Sequence, residues 1–150
     1  MPKTELADIN VLVYAFHRSS AHHEVARQWL SAALADEDEI LLPDFVLAGF
    51  VRIATNRRAY ATPASNETAF AFVDGLRESA GTRFIAPGPS HWRIFEGLCR
   101  SLDIVGPGQS DAYLAAFAYE QGCALVTADR GFRRFSGLQL HLITDAVAQP

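Results

Sequence analysis

The sequence predicts an α/β fold, in the form of a three-layer α/β/α sandwich around a mostly parallel central sheet. Short apolar segments typical of strands alternate along the chain with longer segments whose apolar residues recur at helical spacing. Hydrophobic residues make up 49% of the 150 residues and charged residues 20%, a composition that supplies one sizeable core. Because this length is typical of one domain, we expect residues 1–150 to form a single domain.

Five short segments are predicted to be strands. The first ends at Asp8, the second is stopped by Pro43, and the fourth runs directly into Ala128 and Asp129. Nearly continuous apolar strands of this kind are typical of parallel sheets that are covered on both faces. In chain order the predicted strands are residues 4–8, 40–42, 83–86, 124–127 and 141–143.

The predicted helices are mostly amphipathic, and four of them begin near a residue that can cap a helix. Asp44, Ser65, Ser90 and Ser110 are the candidate caps, because their side-chain oxygens can accept a hydrogen bond from the first turn. Gly122 is expected to end the last of these helices. In chain order the predicted helices cover residues 10–16, 21–35, 44–56, 65–79, 90–102 and 111–121.

Membrane attachment and secretion are not indicated. No apolar run approaches the roughly 20 residues that a membrane-spanning helix needs, and the N-terminus lacks the features of a signal peptide. Cys99 and Cys123 are too few and too isolated for a disulfide framework or a thiolate metal site. We therefore expect a cytoplasmic protein with no membrane partner. The formal net charge of -4 says little about nucleic-acid binding, because divalent ions at an acidic site would offset part of it.

Three aspartates are predicted to meet at one edge of the sheet. Asp8 and Asp129 follow the first and fourth strands, and open parallel sheets bind ligands beyond the carboxyl ends of their strands. Asp111 lies in the first turn of a helix, where backbone N–H groups and the helix dipole favour an anion. If the two strands are neighbours, the three carboxylates converge on one patch. Taken singly, each aspartate is more often a helix cap than a metal ligand.

Convergence of the three carboxylates would favour a divalent cation. Two bare carboxylates about 4 Å apart repel by roughly 4 kcal/mol at an effective dielectric near 20, so either one is protonated or a metal neutralises them. Oxygen ligands without nearby Cys or His select Mg²⁺ or Mn²⁺. Such an ion can polarise a phosphoryl oxygen and activate a water for phosphodiester hydrolysis. Asn10 and Thr127, each two residues from an aspartate, could orient these groups.

Three segments, in the same order along the chain, resemble those of the PIN-domain ribonucleases. Within that family the chain resembles the toxin half of bacterial VapBC-type toxin–antitoxin pairs, a likeness that extends to its closing Phe132-Arg-Arg-Phe-Ser-Gly-Leu. The likeness covers essentially the whole chain, and the three segments together are fairly specific. They are Asp8-Ile-Asn10-Val-Leu-Val, Ser110-Asp111-Ala-Tyr-Leu-Ala-Ala-Phe-Ala and Leu125-Val-Thr-Ala-Asp129-Arg-Gly-Phe.

The resemblance implies a PIN-like fold and a Mg²⁺- or Mn²⁺-dependent endoribonuclease. Asp8, Asp111 and Asp129 would be the catalytic metal ligands, with Asn10 and Thr127 as supporting polar residues. The resemblance also implies an RNA substrate, a VapB-type antitoxin partner and a homodimer. Phosphoryl-transfer domains with a similar acidic cluster are disfavoured, because they need a lysine well downstream and Lys3 is the only lysine.

One position departs from the family pattern. The family usually has a fourth acid, a Glu, where this chain has Gly49. This absence leaves open whether one or two metals bind, and Asp44 is a possible substitute, although a helix cap is its more common role. It also leaves an alternative function open, namely a degenerate PIN domain that only binds RNA or a protein partner.

Arginines flank the predicted site on its C-terminal side. Arg130, Arg133 and Arg134 follow the last aspartate and are the candidate RNA-binding residues, since guanidinium groups bind phosphate well. Solvent-facing arginines paired with surface acids are the alternative. Arg57 and Arg58 are weaker candidates for the same role.

Overall fold

The computed structural model describes residues 2–35 and 37–146. Residues 1, 36 and 147–150 of the predicted domain lie outside the described residues. Five parallel strands form one sheet in the order β3-β2-β1-β4-β5, which confirms the predicted α/β class. The strands are β1 (Thr4–Ala7), β2 (Glu39–Pro43), β3 (Thr82–Ile85), β4 (Ala124–Thr127) and β5 (Leu140–Leu142).

Helices connect the strands and cover both faces of the sheet. Neighbouring residues of a strand point to opposite faces, and both Leu41 and Leu42 of β2 are fully buried. The same holds for Leu6 and Ala7 of β1, so the predicted three-layer sandwich is confirmed. The helices are α1 (Ile9–Phe16), α2 (His23–Ala35), α3 (Asp44–Ala54), α4 (Asn66–Glu78), α5 (His91–Leu102), α6 (Gly108–Gln121) and α7 (Ile143–Ala146), with a 3₁₀ segment at Arg130–Arg134.

The central strand β1 brings the first and fourth strands side by side. Leu6 is in register with Leu41 of β2 and Leu125 of β4. At the carboxyl end of this pair, the backbone N–H of Asp8 donates to the carbonyl of Val126 at 2.9 Å. The condition for convergence of the aspartates, adjacency of these two strands, is therefore met.

The predicted helix caps at Asp44 and Ser110 are wrong, and the one at Ser90 is confirmed in position but not in its side-chain hydrogen bond. Helix α3 begins at Asp44 itself, with Pro43 at the N-cap, and no side chain caps it. Helix α6 begins at Gly108 rather than after Ser110, because Pro107 already has helical backbone angles and its fixed φ suits a helix start. Ser90 is the N-cap residue of α5 but makes no side-chain capping bond.

The loop before α5 is held by another helix. The Glu120 carboxylate of α6 accepts the backbone N–H groups of Gly88 and Ser90, both at 2.8 Å. This contact spans about thirty residues and has no local sequence signal. Ser65, in contrast, caps α4 as predicted by accepting from the N–H of Thr68 at 3.1 Å.

The predicted end of α6 is confirmed, and the predicted bounds of β5 are wrong by one residue. Gly122 ends α6 in the left-handed conformation that favours glycine, as predicted. The last strand is one residue earlier than predicted, since Ile143 is the first residue of α7. Across the described ranges 2–35 and 37–146, no helix has both the length and the apolar character needed to cross a membrane.

Candidate active site

Asp8 is held at the junction of β1 and α1. It is the N-cap residue of α1 with an extended backbone, but its side chain does not cap that helix. The carboxylate instead accepts the Thr127 hydroxyl, with 2.7 Å between Oγ1 and Oδ2. Although ionisable, Asp8 is only 7% exposed.

Thr127 links Asp8 to Asp129. Its side chain is fully buried at the end of β4, where the hydroxyl donates to Asp8 and accepts the backbone N–H of Asp129 at 3.0 Å. The Asp129 carboxylate turns to the 3₁₀ segment and accepts the N–H of Gly131 at 2.7 Å. The predicted supporting residue thus lies between two of the three aspartates.

Asp111 approaches from α6. It lies in the first turn of that helix, as predicted, and its carboxylate pairs with the Arg134 guanidinium at 3.3 Å. Both side chains are about two-fifths exposed, so the pair is accessible to solvent and to ligands. Arg134, predicted to contact RNA, is therefore also a partner of a predicted metal ligand.

The three carboxylates influence one another electrostatically. Burial raises the pKa of Asp8 to about 6; the Thr127 hydrogen bond opposes this, and the charges of Asp111 and Asp129 add to it. The pKa of Asp111 is also raised, by burial and by the charge of Asp129, against the attraction of Arg134. Each aspartate therefore lies within electrostatic reach of the other two.

The donor set has the chemistry of a hard-cation site. The groups at this edge are carboxylates and a threonine hydroxyl, the oxygen ligands that Mg²⁺ and Mn²⁺ prefer, and a cation would offset the burial and the neighbouring charges that raise the pKa of Asp8. In their present arrangement, however, no three His, Cys, Asp or Glu side chains of the described residues are gathered closely enough to hold a metal ion. The positive group that Asp111 contacts is the Arg134 guanidinium.

The remaining predicted residues occupy varied places. Asn10 lies exposed in the first turn of α1, two residues after Asp8. Asp44 lines an apolar cleft of about 350 Å³ between α3, α4 and β3, together with Phe70 and Phe84. Arg130 and Arg133 are exposed on the 3₁₀ segment that follows Asp129. The catalytic, metal-binding and RNA-binding roles of all these residues stay predictions.

Gly49 lies against the residue that follows Asp8. A Cβ atom built on Gly49 would be 2.6 Å from Cδ1 of Ile9, closer than real contacts allow. The place where the family usually has a glutamate is therefore partly filled by the Ile9 side chain, which would have to rotate to admit a longer residue.

Tyr14 is a residue of this site that the sequence patterns did not single out. Burial raises its pKa, and the charges of Asp8 and Asp129 raise it further, so the phenol lies within electrostatic reach of these two aspartates. Its position could have indicated this role, because Tyr14 lies one helical turn after Asn10 and therefore on the same face of α1.

The fold and the site together define an α/β/α domain with an acidic cluster at the carboxyl edge of a parallel sheet. Residues 6–138 match the model of the PIN domain. The chain is 43% identical to Ribonuclease VapC43 of Mycobacterium tuberculosis over 133 residues, which cover 88% of this chain and 90% of the relative. It is 37% identical to Ribonuclease VapC25 of the same organism over 134 residues, covering 89% and 94% of the two chains.

A solved structure gives the same result for the fold. The crystal structure of VapBC2 from Rickettsia felis, bound to a promoter DNA fragment, contains a chain that matches with a TM-score of 0.68 at 19% identity. The match covers 92% of this chain and 97% of that chain. The protein belongs to the PIN domain family and, within it, to the VapC ribonucleases, which confirms the resemblance found in its sequence.

Proposed function

We propose that this protein is a metal-dependent endoribonuclease that acts as the toxin of a toxin–antitoxin pair. The observation that supports it most is the convergence of Asp8, Asp111 and Asp129, in which buried Asp8 has a pKa raised to about 6. Carboxyl groups whose pKa values are strongly perturbed by burial cluster at functional sites. The VapC ribonucleases among its relatives support the same activity.

The chain's own residues have distinct roles in this proposal. Asp8, Asp111 and Asp129 would hold Mg²⁺ or Mn²⁺, and Thr127 would fix the orientation of Asp8 through its 2.7 Å hydrogen bond. When bound, the metal supplies charge to the phosphoryl group and makes a water more acidic. Asn10 would be a further polar contact at the start of α1. Arginines of the 3₁₀ segment, namely Arg130, Arg133 and Arg134, would bind RNA phosphates.

Two protein partners are part of the proposal. A VapB-type antitoxin is supported by the structural neighbour, which is a VapBC complex. A homodimer would cover the large apolar side chains that α5 and the turn after it expose. Trp92, Leu102 and Val105 are 66%, 42% and 73% exposed. We further propose a cytoplasmic location, where the RNA substrate is found.

The test is RNA cleavage by purified, antitoxin-free protein with Mg²⁺, with Mn²⁺ and with EDTA. The Asp8→Asn variant is compared with Asp103→Asn, a matched change at an exposed aspartate in the turn after α5. We expect cleavage that requires the metal and that Asp103→Asn retains. Asp8→Asn should lose at least about a hundredfold in rate, because metal polarisation is worth several kcal/mol and about 1.4 kcal/mol is a factor of ten. Cleavage that persists in EDTA or in Asp8→Asn would contradict the proposal.

A further inference from the structure

One face of α1 leads away from the acidic cluster as a continuous polar and aromatic strip. Asn10, Tyr14 and His17 are spaced four and three residues apart, so they lie on the same face of the helix. The face begins directly after Asp8 and runs for about 10 Å, at 1.5 Å of rise per residue. We refer to these three residues, together with Tyr60, as the α1 strip.

Tyr14 is the member of the α1 strip beside the aspartates. Its ring is partly exposed, and the charges of Asp8 and Asp129 contribute to its raised pKa. The backbone around it is fixed, since the His23 ring donates from Nδ1 to the Tyr14 carbonyl at 2.8 Å. The Tyr14 ring also touches His22, with 5.2 Å between centroids. A partly exposed aromatic ring is thus held in place next to the acidic cluster.

Tyr60 extends the strip beyond the end of the helix. Its ring stacks on His17 with 3.8 Å between centroids and 19° between planes, and buried His17 donates from Nε2 to the Ala54 carbonyl at 3.1 Å. Burial raises the pKa of Tyr60 and the charge of Tyr14 adds to it, so the two phenols lie within electrostatic reach of each other. Because Tyr60 stays partly exposed, the open part of the ring lies away from His17.

The loop that carries Tyr60 is basic. Arg57 and Arg58 are both exposed and stand three and two positions before the ring. The loop has a defined turn here, since the Asn56 side chain accepts the backbone N–H of Arg58 at 2.9 Å. Arginines next to aromatic rings are the combination that binds single-stranded nucleic acid, with bases on the rings and phosphates on the guanidinium groups.

Core packing accounts for one side of this strip, since Tyr14 and Tyr60 are partly buried against the core and His17 is buried. A neighbouring aromatic cluster consists of buried Phe50 and the partly buried Phe16 and Phe72, which contact one another at 4.9–5.3 Å between centroids. That cluster consists of phenylalanines, whereas the rings of the α1 strip carry polar atoms, and those of Tyr14 and Tyr60 belong to residues that stay partly exposed. Rings that carry polar atoms suit a surface that contacts a flat, polar ligand such as a base.

We propose that the α1 strip binds the single-stranded RNA substrate beside the scissile phosphate, with bases stacked on Tyr14 and Tyr60 and the backbone held by Arg57 and Arg58. The proposal rests on the ribonuclease function above and names the part of the chain that selects single-stranded RNA. Tyr14 takes the base nearest the aspartates, and Tyr60 takes one further along the strand. Since stacking tolerates every base, the strip gives strand selectivity more than sequence selectivity.

The test separates RNA binding from cleavage. The affinity for a short fluorescein-labelled single-stranded RNA is measured in EDTA for Tyr14→Leu, Tyr60→Leu and the ring-preserving Tyr14→Phe and Tyr60→Phe. Tyr119→Leu is the control, because Tyr119 lies near the C-terminal end of α6 and donates to the Ser136 carbonyl. Each Leu variant at the strip should bind about fivefold to tenfold more weakly, the loss expected for one stacked base. The Phe variants and the control should keep the wild-type affinity.

Two further experiments test the proposal even if a Leu variant folds poorly. In the wild-type protein, photo-cross-linking of RNA that contains 4-thiouridine should label peptides with Tyr14 or Tyr60. In the double variant Arg57→Ala, Arg58→Ala, log K should fall less steeply with log salt. The slope should become less negative by about 0.7 for each phosphate that the arginines neutralise in the wild-type protein. The matched change Arg100→Ala, at an exposed arginine paired with Glu96 on α5, should leave that slope unchanged.

The outcomes distinguish the strip from the function itself. If wild-type protein cleaves RNA but cross-links form elsewhere and the folded Leu variants bind normally, the strip is wrong and the ribonuclease proposal stands. If wild-type protein neither binds nor cleaves RNA, both proposals are overturned. Weaker binding of the Leu variants, together with cross-links at the strip, would establish it.

Discussion

Two acidic residues of strand β1, Glu5 and Asp8, are equally buried but have opposite electrostatic surroundings. Glu5 lies near the amino end of the strand and Asp8 directly after its carboxyl end, and they are 8% and 7% exposed. Glu5 accepts from Nδ1 of His141 at 2.8 Å and from Nε1 of Trp29 at 3.3 Å. Asp8 accepts from the Thr127 hydroxyl and faces two further aspartates.

The pKa values of these two carboxyl groups move in opposite directions. Burial alone would raise the pKa of Glu5, but hydrogen bonds from His141 and Trp29 and the charge of His141 outweigh it, and the pKa falls. At Asp8 burial dominates and neighbouring charges add to it, so the pKa rises to about 6. Glu5 at the amino edge of the sheet is therefore electrostatically satisfied, and Asp8 at the carboxyl edge is not.

This difference distinguishes a structural carboxylate from a functional one. Burying a charge is costly unless the fold supplies partners, and the fold supplies them to Glu5 from α2 and β5. At Asp8 the free-energy cost of burying the charge is not offset by such partners, as is common at sites where a bound ligand supplies the opposite charge. The comparison leads to four predictions, from the largest expected effect to the smallest.

Removing the charge of Asp8 should stabilise the metal-free protein. The pKa of Asp8 in the folded protein, about 6, exceeds its ordinary value of 3.8, so ionised Asp8 destabilises the fold by about 3 kcal/mol once the pH is above 6. Asp8→Asn should therefore be more stable than wild type at pH 8 by up to about that amount, and the gain should shrink to nearly zero at pH 4. Urea unfolding in EDTA across this range measures it. Equal stabilities of Asp8→Asn and wild type at pH 8 would show that other groups offset the buried charge of Asp8.

The corresponding change at Glu5 should have the opposite sign. Because the folded-state pKa of Glu5 is lowered, its ionised form stabilises the protein above the ordinary pKa, and this stability is lost as the pH falls through the folded value. Glu5→Gln should cost about 2 kcal/mol at neutral pH, the range for hydrogen bonds to a charged group. The same urea experiment tests it, with Glu96→Gln on the exposed face of α5 as control. A stabilised Glu5→Gln protein would remove the contrast between the two edges.

The carboxyl edge was predictable from the sequence because its geometry follows from local rules. Asp8 and Asp129 end apolar strands, and carboxyl ends of parallel strands share an edge. Asp111 follows a Gly-Pro-Gly segment that starts a helix. Only the adjacency of β1 and β4 had to be assumed, and the register of Leu6 with Leu125 confirms it.

The partners of the charged groups were not predictable, because they come from distant parts of the chain. The contact between Glu5 and His141 joins residues 136 positions apart, and that between Thr127 and Asp8 joins residues 119 apart. Glu120 caps the loop before α5 from 30 positions away. A serine before a predicted helix indicated caps at Ser90 and Ser110. In the structure, Glu120 holds the loop before α5, and α6 begins after Pro107.

Divalent metal should stabilise the wild-type protein through the carboxyl edge. An ion that binds only the folded state adds RT ln(1 + [L]/Kd), or about 1.4 kcal/mol at tenfold excess over Kd. Mn²⁺ should therefore raise the thermal midpoint of wild type and of Glu96→Gln, and raise it much less in Asp8→Asn and Asp129→Asn. Differential scanning fluorimetry at pH 8 gives the comparison. An equal Mn²⁺ shift in all four proteins would place the ion elsewhere.

Arg134 should weaken metal binding modestly, because it contacts the Asp111 carboxylate that the metal would use. The pair is 3.3 Å apart with both side chains about two-fifths exposed, and pairs of that kind are worth about 0.2–1 kcal/mol after solvent screening. Arg134→Ala should thus increase the Mn²⁺ affinity by at most about fivefold, as isothermal titration without RNA can measure. Arg100→Ala, whose partner Glu96 lies on α5, controls for net charge. If Arg134→Ala lowers the affinity instead, Arg134 orients Asp111 for the metal rather than competing with it, and the carboxyl edge is better organised than its repulsions suggest.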